Sequence, residues 1–121
     1  MQRRLAELAE DGCAAARGND ADAFMASVVG YGRALQSLGE AIGAEVVTAE
    51  HREIAEHAHR FGVAYKVSGA GGGDLGLACA ADSGALRAFM RSVTSRGFRV
   101  IRISLADHGL RVEQHVSETA P

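Results

Sequence analysis

Four glycines within the five residues Gly69 to Gly73 follow one apolar run, Val63 to Val67, and precede another, Leu75 to Ala81. Glycine reaches positive φ at no steric cost and lets the backbone approach another group with no Cβ in the way. The stretch Ser68-Gly69-Ala70-Gly71-Gly72-Gly73-Asp74 therefore reads as a connection between two strands. A plain hairpin needs only one or two glycines, and extra ones weaken a small domain through chain entropy unless a ligand or a close backbone contact requires them. A loop of this kind turns several N–H groups into one concavity, which favours an anion and most often a phosphate. The expectation is a loop that holds a phosphorylated molecule.

Spacing excludes the two commonest phosphate motifs. A Walker A loop ends in Gly-Lys-Ser/Thr, whereas Gly73 is followed by Asp74 and Leu75. A dinucleotide fingerprint starts well at Gly69 and Gly71 but meets Asp74 at its third glycine position, and the loop opens into a strand-like segment rather than a helix.

The whole chain narrows the classes further. Its 121 residues make one domain of ordinary size, too small for a two-domain enzyme. A net charge of −2 with dispersed basic residues gives no electrostatic footprint for nucleic acid. The apolar stretches are strand-length or interrupted by charge, and the first residues lead into an amphipathic segment, so neither a membrane partner nor a signal core is expected and the location expected is cytoplasmic. Cys13 and Cys79 form no C-x-x-C pattern; Cys79, in an apolar run, is expected to be a buried free thiol. The histidines show no metal-ligand spacing, no metal site is expected, and the default for them is solvated.

Apolar periodicity organises the rest. Residues 2 to about 16 read as a helix ended by Gly18-Asn19. A second helix, capped by Asp20, carries Phe24, Val28, Tyr31, Leu35, Leu38 and Ile42 as one stripe expected to cover the sheet, and ends at Gly43. Gly30, Gly32 and Gly39 cost this helix about 1 kcal/mol each against alanine, which calls for tight packing or a nearby ligand. Thr48 caps a third helix that stops at Gly62, and Asp82 or Ser83 a fourth that ends at Gly97. Strands are expected at 63 to 67, 75 to 81, 98 to 103 and 110 to 114. A right-handed crossover then yields a ferredoxin-like α+β sandwich, a four-stranded antiparallel sheet with helices packed on one face. In this division residues 1–47 are N-terminal helices, 48–116 an αββαββ core, and 117–121 a frayed tail.

From Leu35 onward the sequence resembles the C-terminal domain of GHMP-superfamily kinases, and within them the phosphomevalonate kinase family. The likeness rests on Leu35-Gln36-Ser37-Leu38-Gly39, Ile42-Gly43, Thr48, Gly109 to Glu113, and above all Lys66 through Ala78 with its Gly-Ala-Gly-Gly-Gly-Asp core. It implies ATP-dependent phosphoryl transfer to 5-phosphomevalonate in isoprenoid synthesis, with Mg²⁺. In that family the Pro-x-x-x-Gly-Leu-Gly-Ser-Ser nucleotide loop and the transfer residues lie in an N-terminal domain, and no such loop occurs here. The resemblance thus implies a partner, the N-terminal kinase domain, which holds most of the ATP and Mg²⁺ contacts, with no catalytic residue in this chain. The alternatives are a free-standing, non-catalytic phosphometabolite-binding module and the C-terminal domain of another GHMP kinase, such as mevalonate kinase.

Phosphoryl transfer depends mainly on positioning and charge stabilisation, so the amides of Gly69, Ala70, Gly71, Gly72 and Gly73 are the expected phosphate ligands. Ser68 adds a hydroxyl bond or caps the turn. Lys66 neutralises phosphate or stands as a solvated edge lysine. Asp74 holds the loop through backbone N–H bonds or orients Mg²⁺ or a basic residue of the other domain.

Overall fold

The structure, a computed structural model, describes residues 2–69, 71–73, 75–104 and 106–114. Four helices and one hairpin follow in the order α1 (Gln2–Arg17), α2 (Ala21–Ile42), α3 (Ala49–Arg60), β1 (Ala64–Val67), β2 (Gly76–Cys79) and α4 (Ser83–Ser95).

The helix ends sit where short polar side chains and glycines direct them. Asp20, Thr48 and Asp82 each accept a backbone N–H in the first turn of α2, α3 and α4, from Ala23, His51 and Gly84. Gly43, at φ 69°, closes α2 in the left-handed conformation that other residues avoid. Between α1 and α2 the turn is only three residues long and includes Asn19 at φ 53°, so the two helices fold back on each other as an αα-hairpin. Their glycines lie at the contact. A Cβ on Gly12 would sit 3.4 Å from Ser27 Cβ, and one on Gly30 only 2.9 Å from Leu8 Cδ2. Packing accounts for the other α2 glycines too: Gly32 lies against Lys66 and the carbonyl of Tyr65, and Gly39 against the returning chain at Ala44 and Val46.

The hairpin is antiparallel, with Tyr65 opposite Ala78 and Val67 opposite Gly76. Ala58, Val63, Phe89 and Val93 form the buried centre, against which Ile54, Phe61, Tyr65, Leu86 and Phe98 pack. Successive residues of β1 point in opposite directions: Tyr65 meets His51 of α3, and Lys66 meets Tyr31 of α2.

This overturns the four-stranded ferredoxin-like sandwich. Among the described residues the sheet has two strands, and helices flank β1 rather than cover one face of a wide sheet. Residues 98–103 and 110–114 carry the apolar residues of strands but form no ladder. Only Phe98 reaches the core, its N–H donating to Val93 O. Ile101, Ile103 and Val112 are 60%, 76% and 85% exposed. Strand propensity measures fit to a half-buried surface, and here no such surface faces these side chains, so nothing offsets the entropy of ordering them in a ladder. The expected tail at 117–121 lies outside the described residues.

Candidate functional site

The glycine loop closes on the N–H of Ser68, which donates to Leu75 O at 2.9 Å. Gly69, Gly71, Gly72 and Gly73 all have positive φ, at 67°, 78°, 86° and 126°, a backbone that a β-branched residue would adopt only under strain. They divide into two kinds. Gly71 is pressed against Val46, where an added Cβ would collide with the carbonyl oxygen and lie 2.9 Å from Cγ1, while Gly69 and Gly72 face open space. The N–H of Gly72 donates to Val46 O at 3.0 Å. The loop is therefore fastened, backbone to backbone, onto the segment that leads into α3, and a Cβ on Gly73 would touch Thr48 at 3.7 Å.

Of the residues expected to bind phosphate, the structure brings Gly71, Gly72 and Gly73 against Val46 and Thr48 at the entry to α3, while Gly69 faces open space. It engages the N–H of Gly72 with Val46 O. Ser68 is exposed. Ala70 and Asp74 lie outside the described residues. Lys66 does not turn to the glycines: its Nζ donates to Val67 O at 2.8 Å and stands 5.0 Å from the centre of the Tyr31 ring. Burial against α2 pushes its pKa down.

Two histidines are buried rather than solvated, His51 and His57. His57 Nδ1 lies 3.3 Å from Ser92 Oγ and ties α3 to α4. His51 Nδ1 lies 2.6 Å from Tyr65 Oη. Burial pushes the Tyr65 phenol up to about 12 and the His51 imidazole below its ordinary value, with Glu50 opposing the latter. The phenol thus keeps its proton and shares a hydrogen bond with a neutral imidazole. Gly76 exists for this pair, since a Cβ there would overlap the Tyr65 ring. The residues are 14 apart in sequence; the available signal was Gly76 itself, one diagonal step across the hairpin from an inward tyrosine. Cys79 is a free thiol, half-buried rather than fully so.

Beside Lys66, a groove of about 480 Å³ opens between α2, α3 and β1, with Arg33, Arg52, His59 and Arg60 on its walls. Among the described residues, no three His, Cys, Asp or Glu side chains converge to hold a metal, and no helix is long and apolar enough to cross a membrane.

No protein-family model matches the chain, and no curated protein matches it. Among solved structures it is similar to Lin0012, a protein from Listeria innocua known from a crystal structure, with a TM-score of 0.72 and 28% sequence identity over 75% of this chain. That match covers 26% of Lin0012, so the chain spans about a quarter of the length of the protein it resembles. About three quarters of the fold therefore occurs in another natural protein as part of a longer chain.

Proposed function

We propose that this chain is the phosphate-holding, C-terminal part of a GHMP-type kinase, most like the phosphomevalonate kinases, and that it acts in the cytoplasm. The observation that carries the reading is the loop itself: four positive-φ glycines fastened beside the N-terminus of a helix, with Gly69 and Gly72 open to an approaching group. Ala49 and Glu50, in the first turn of α3, have no helical acceptor for their N–H groups. These donors and the amides of Gly69 and Gly71, which have no acceptor among the described residues, favour a phosphate. Fixed in advance by Val46, the amides need no reorganisation as charge shifts during transfer, which is how positioning lowers a phosphoryl-transfer barrier. The loop's share is to hold the phosphate of 5-phosphomevalonate still while the γ-phosphoryl group of ATP reaches it. The described residues offer no ligand set for Mg²⁺, so the metal and ATP that the resemblance implies fall to other residues. The half-buried free thiol of Cys79 suits a reducing compartment.

Calorimetry of the chain against 5-phosphomevalonate, mevalonate and ATP tests the reading. The phosphorylated alcohol should bind and mevalonate should not, with no ATP turnover by the chain alone. Asparagine tolerates positive φ, so Gly69→Asn should keep the loop folded yet fill the open space and abolish binding. Equal affinity for mevalonate, or full affinity in folded Gly69→Asn, would reduce the loop to a connection.

A further inference from the structure

The groove beside Lys66 carries a charge pattern that folding does not explain. The protein as a whole has 13 basic and 15 acidic residues. Yet Arg33 from α2, Arg52, His59 and Arg60 from α3, and Lys66 from β1 converge on one cavity in which Glu56 is the acidic lining residue. His59 and Arg60 belong to the last turn of α3, where the helix dipole favours cations. Arg52 has no such reason: it sits at the start of the same helix, where the dipole opposes it, and Arg33 is in the middle of α2. Among the described residues none of Arg33, Arg52 and Arg60 is in an ion pair; the bridges present are Arg4–Glu7, Arg96–Glu53 and Arg111–Glu113. Lys66 has three protons to donate and, among the described residues, one hydrogen-bond acceptor, Val67 O. Cations are therefore brought together from three elements, against local preference in one case, with Glu56 as the single acidic residue lining the cavity.

The floor of the groove is apolar, with Val29, Val47, Val63 and Val67. A volume of about 480 Å³ falls in the range of small-molecule sites, and an apolar floor with a few converging polar groups is their usual construction. Guanidinium groups hold phosphate oxygens through paired N–H bonds. We infer that this groove is an anion site separate from the glycine loop, and that it takes a small organic phosphomonoester whose apolar body lies on the valines while its phosphate is held by Arg52, Arg60 and Lys66. The two sites differ in kind: the loop offers amides to a phosphate and no side chain, whereas the groove offers side-chain cations and a hydrophobic surface. None of the described loop residues lines the groove.

Phenyl phosphate serves as the probe, followed by calorimetry and by amide shifts of the full 121-residue chain, with benzyl alcohol and inorganic phosphate as controls. One equivalent of phenyl phosphate should bind, with shifts centred on α2, α3 and β1, and binding should weaken as salt rises. Inorganic phosphate should bind the groove more weakly and benzyl alcohol not measurably. The double variant Arg52→Gln, Arg60→Gln should weaken phenyl phosphate at least tenfold, Lys66→Met should weaken it several-fold, and Gly69→Asn should leave it unchanged. Absence of saturable binding, equal affinity for benzyl alcohol, indifference to the arginine and lysine variants, or loss in Gly69→Asn would each overturn the site. The last outcome would hand the anion back to the loop. Failure of 5-phosphomevalonate to bind the loop, with phenyl phosphate still sensitive to Arg52, would remove the kinase reading and leave the groove standing.

Discussion

The glycine loop touches the segment that enters α3 at Val46 and the basic groove is lined by the next residue, Val47, yet the two are built from opposite materials. The loop's geometry resides in backbone: positive φ at its glycines, the Gly72 N–H on Val46 O, and the close seat of Gly71 on Val46. In the groove, chemistry resides in the tips of exposed side chains, Arg33, Arg52 and Arg60, whose removal leaves the backbone untouched. A backbone site cannot be altered without strain, so its residues answer to folding and to binding together. A side-chain site separates the two.

The widest test of that contrast compares stability at the two places. Gly71→Val forces a β-branched residue into φ 78° and drives its Cβ into Val46. Overpacking and backbone strain together should cost about 3 kcal/mol or more in urea unfolding. Arg52→Gln, on an exposed wall, should stay within about 0.5 kcal/mol of the parent. If Gly71→Val unfolds at the parent's midpoint, the loop is not fastened to Val46 and the contrast collapses.

A smaller effect belongs to the tyrosine between the two regions. Tyr65 rests over Gly76 and hydrogen-bonds His51, so its ring belongs to the core while its hydroxyl reaches α3. Tyr65→Phe keeps the ring and deletes one buried hydrogen bond, at a cost of about 1 kcal/mol. Gly76→Ala should cost more, about 2 kcal/mol, because the ring itself must move. Equal stabilities for these two variants would mean that the tyrosine does not lie across the glycine.

What the sequence disclosed follows the same division between local and distant causes. Helix limits were legible because their determinants are local: Asp20, Thr48 and Asp82 accept bonds two or three residues away, and Gly43 and Gly97 adopt positive φ where the helices end. The first two strands were legible for a similar reason, since a glycine loop between two apolar runs leaves a hairpin as the economical solution. At 98–114 the same reasoning went wrong, because alternating apolar residues state a preference for a partner surface without supplying one. Ile101, Ile103 and Val112 remain exposed for want of that surface. In the loop, sequence located the glycines but could not separate those that seat the backbone from those left open. That distinction depends on Val46, more than twenty positions earlier. The groove was invisible for the same reason, since Arg33, Arg52 and Lys66 become neighbours only through the way α2 and α3 meet β1.

The smallest predicted effect is one of pH, and it again sets the interior against the surface. Burial holds the His51 imidazole below its ordinary value of 6.5, Glu50 only partly opposing, because the charged ring would lose water. In the unfolded chain the same ring takes up its proton near the ordinary value. As pH falls through that value the unfolded state therefore binds more protons than the folded one, and stability decreases until the lowered folded pKa is passed. The contribution is fully present above about pH 7. Urea unfolding at pH 7.5 and 5.5 should show the parent losing stability, and His51→Gln, whose amide oxygen can still accept from Tyr65, should lose less over the same interval. Identical losses in the two proteins would mean that the buried setting of His51 does not hold its imidazole neutral, and would remove this residue as the source of the acid sensitivity.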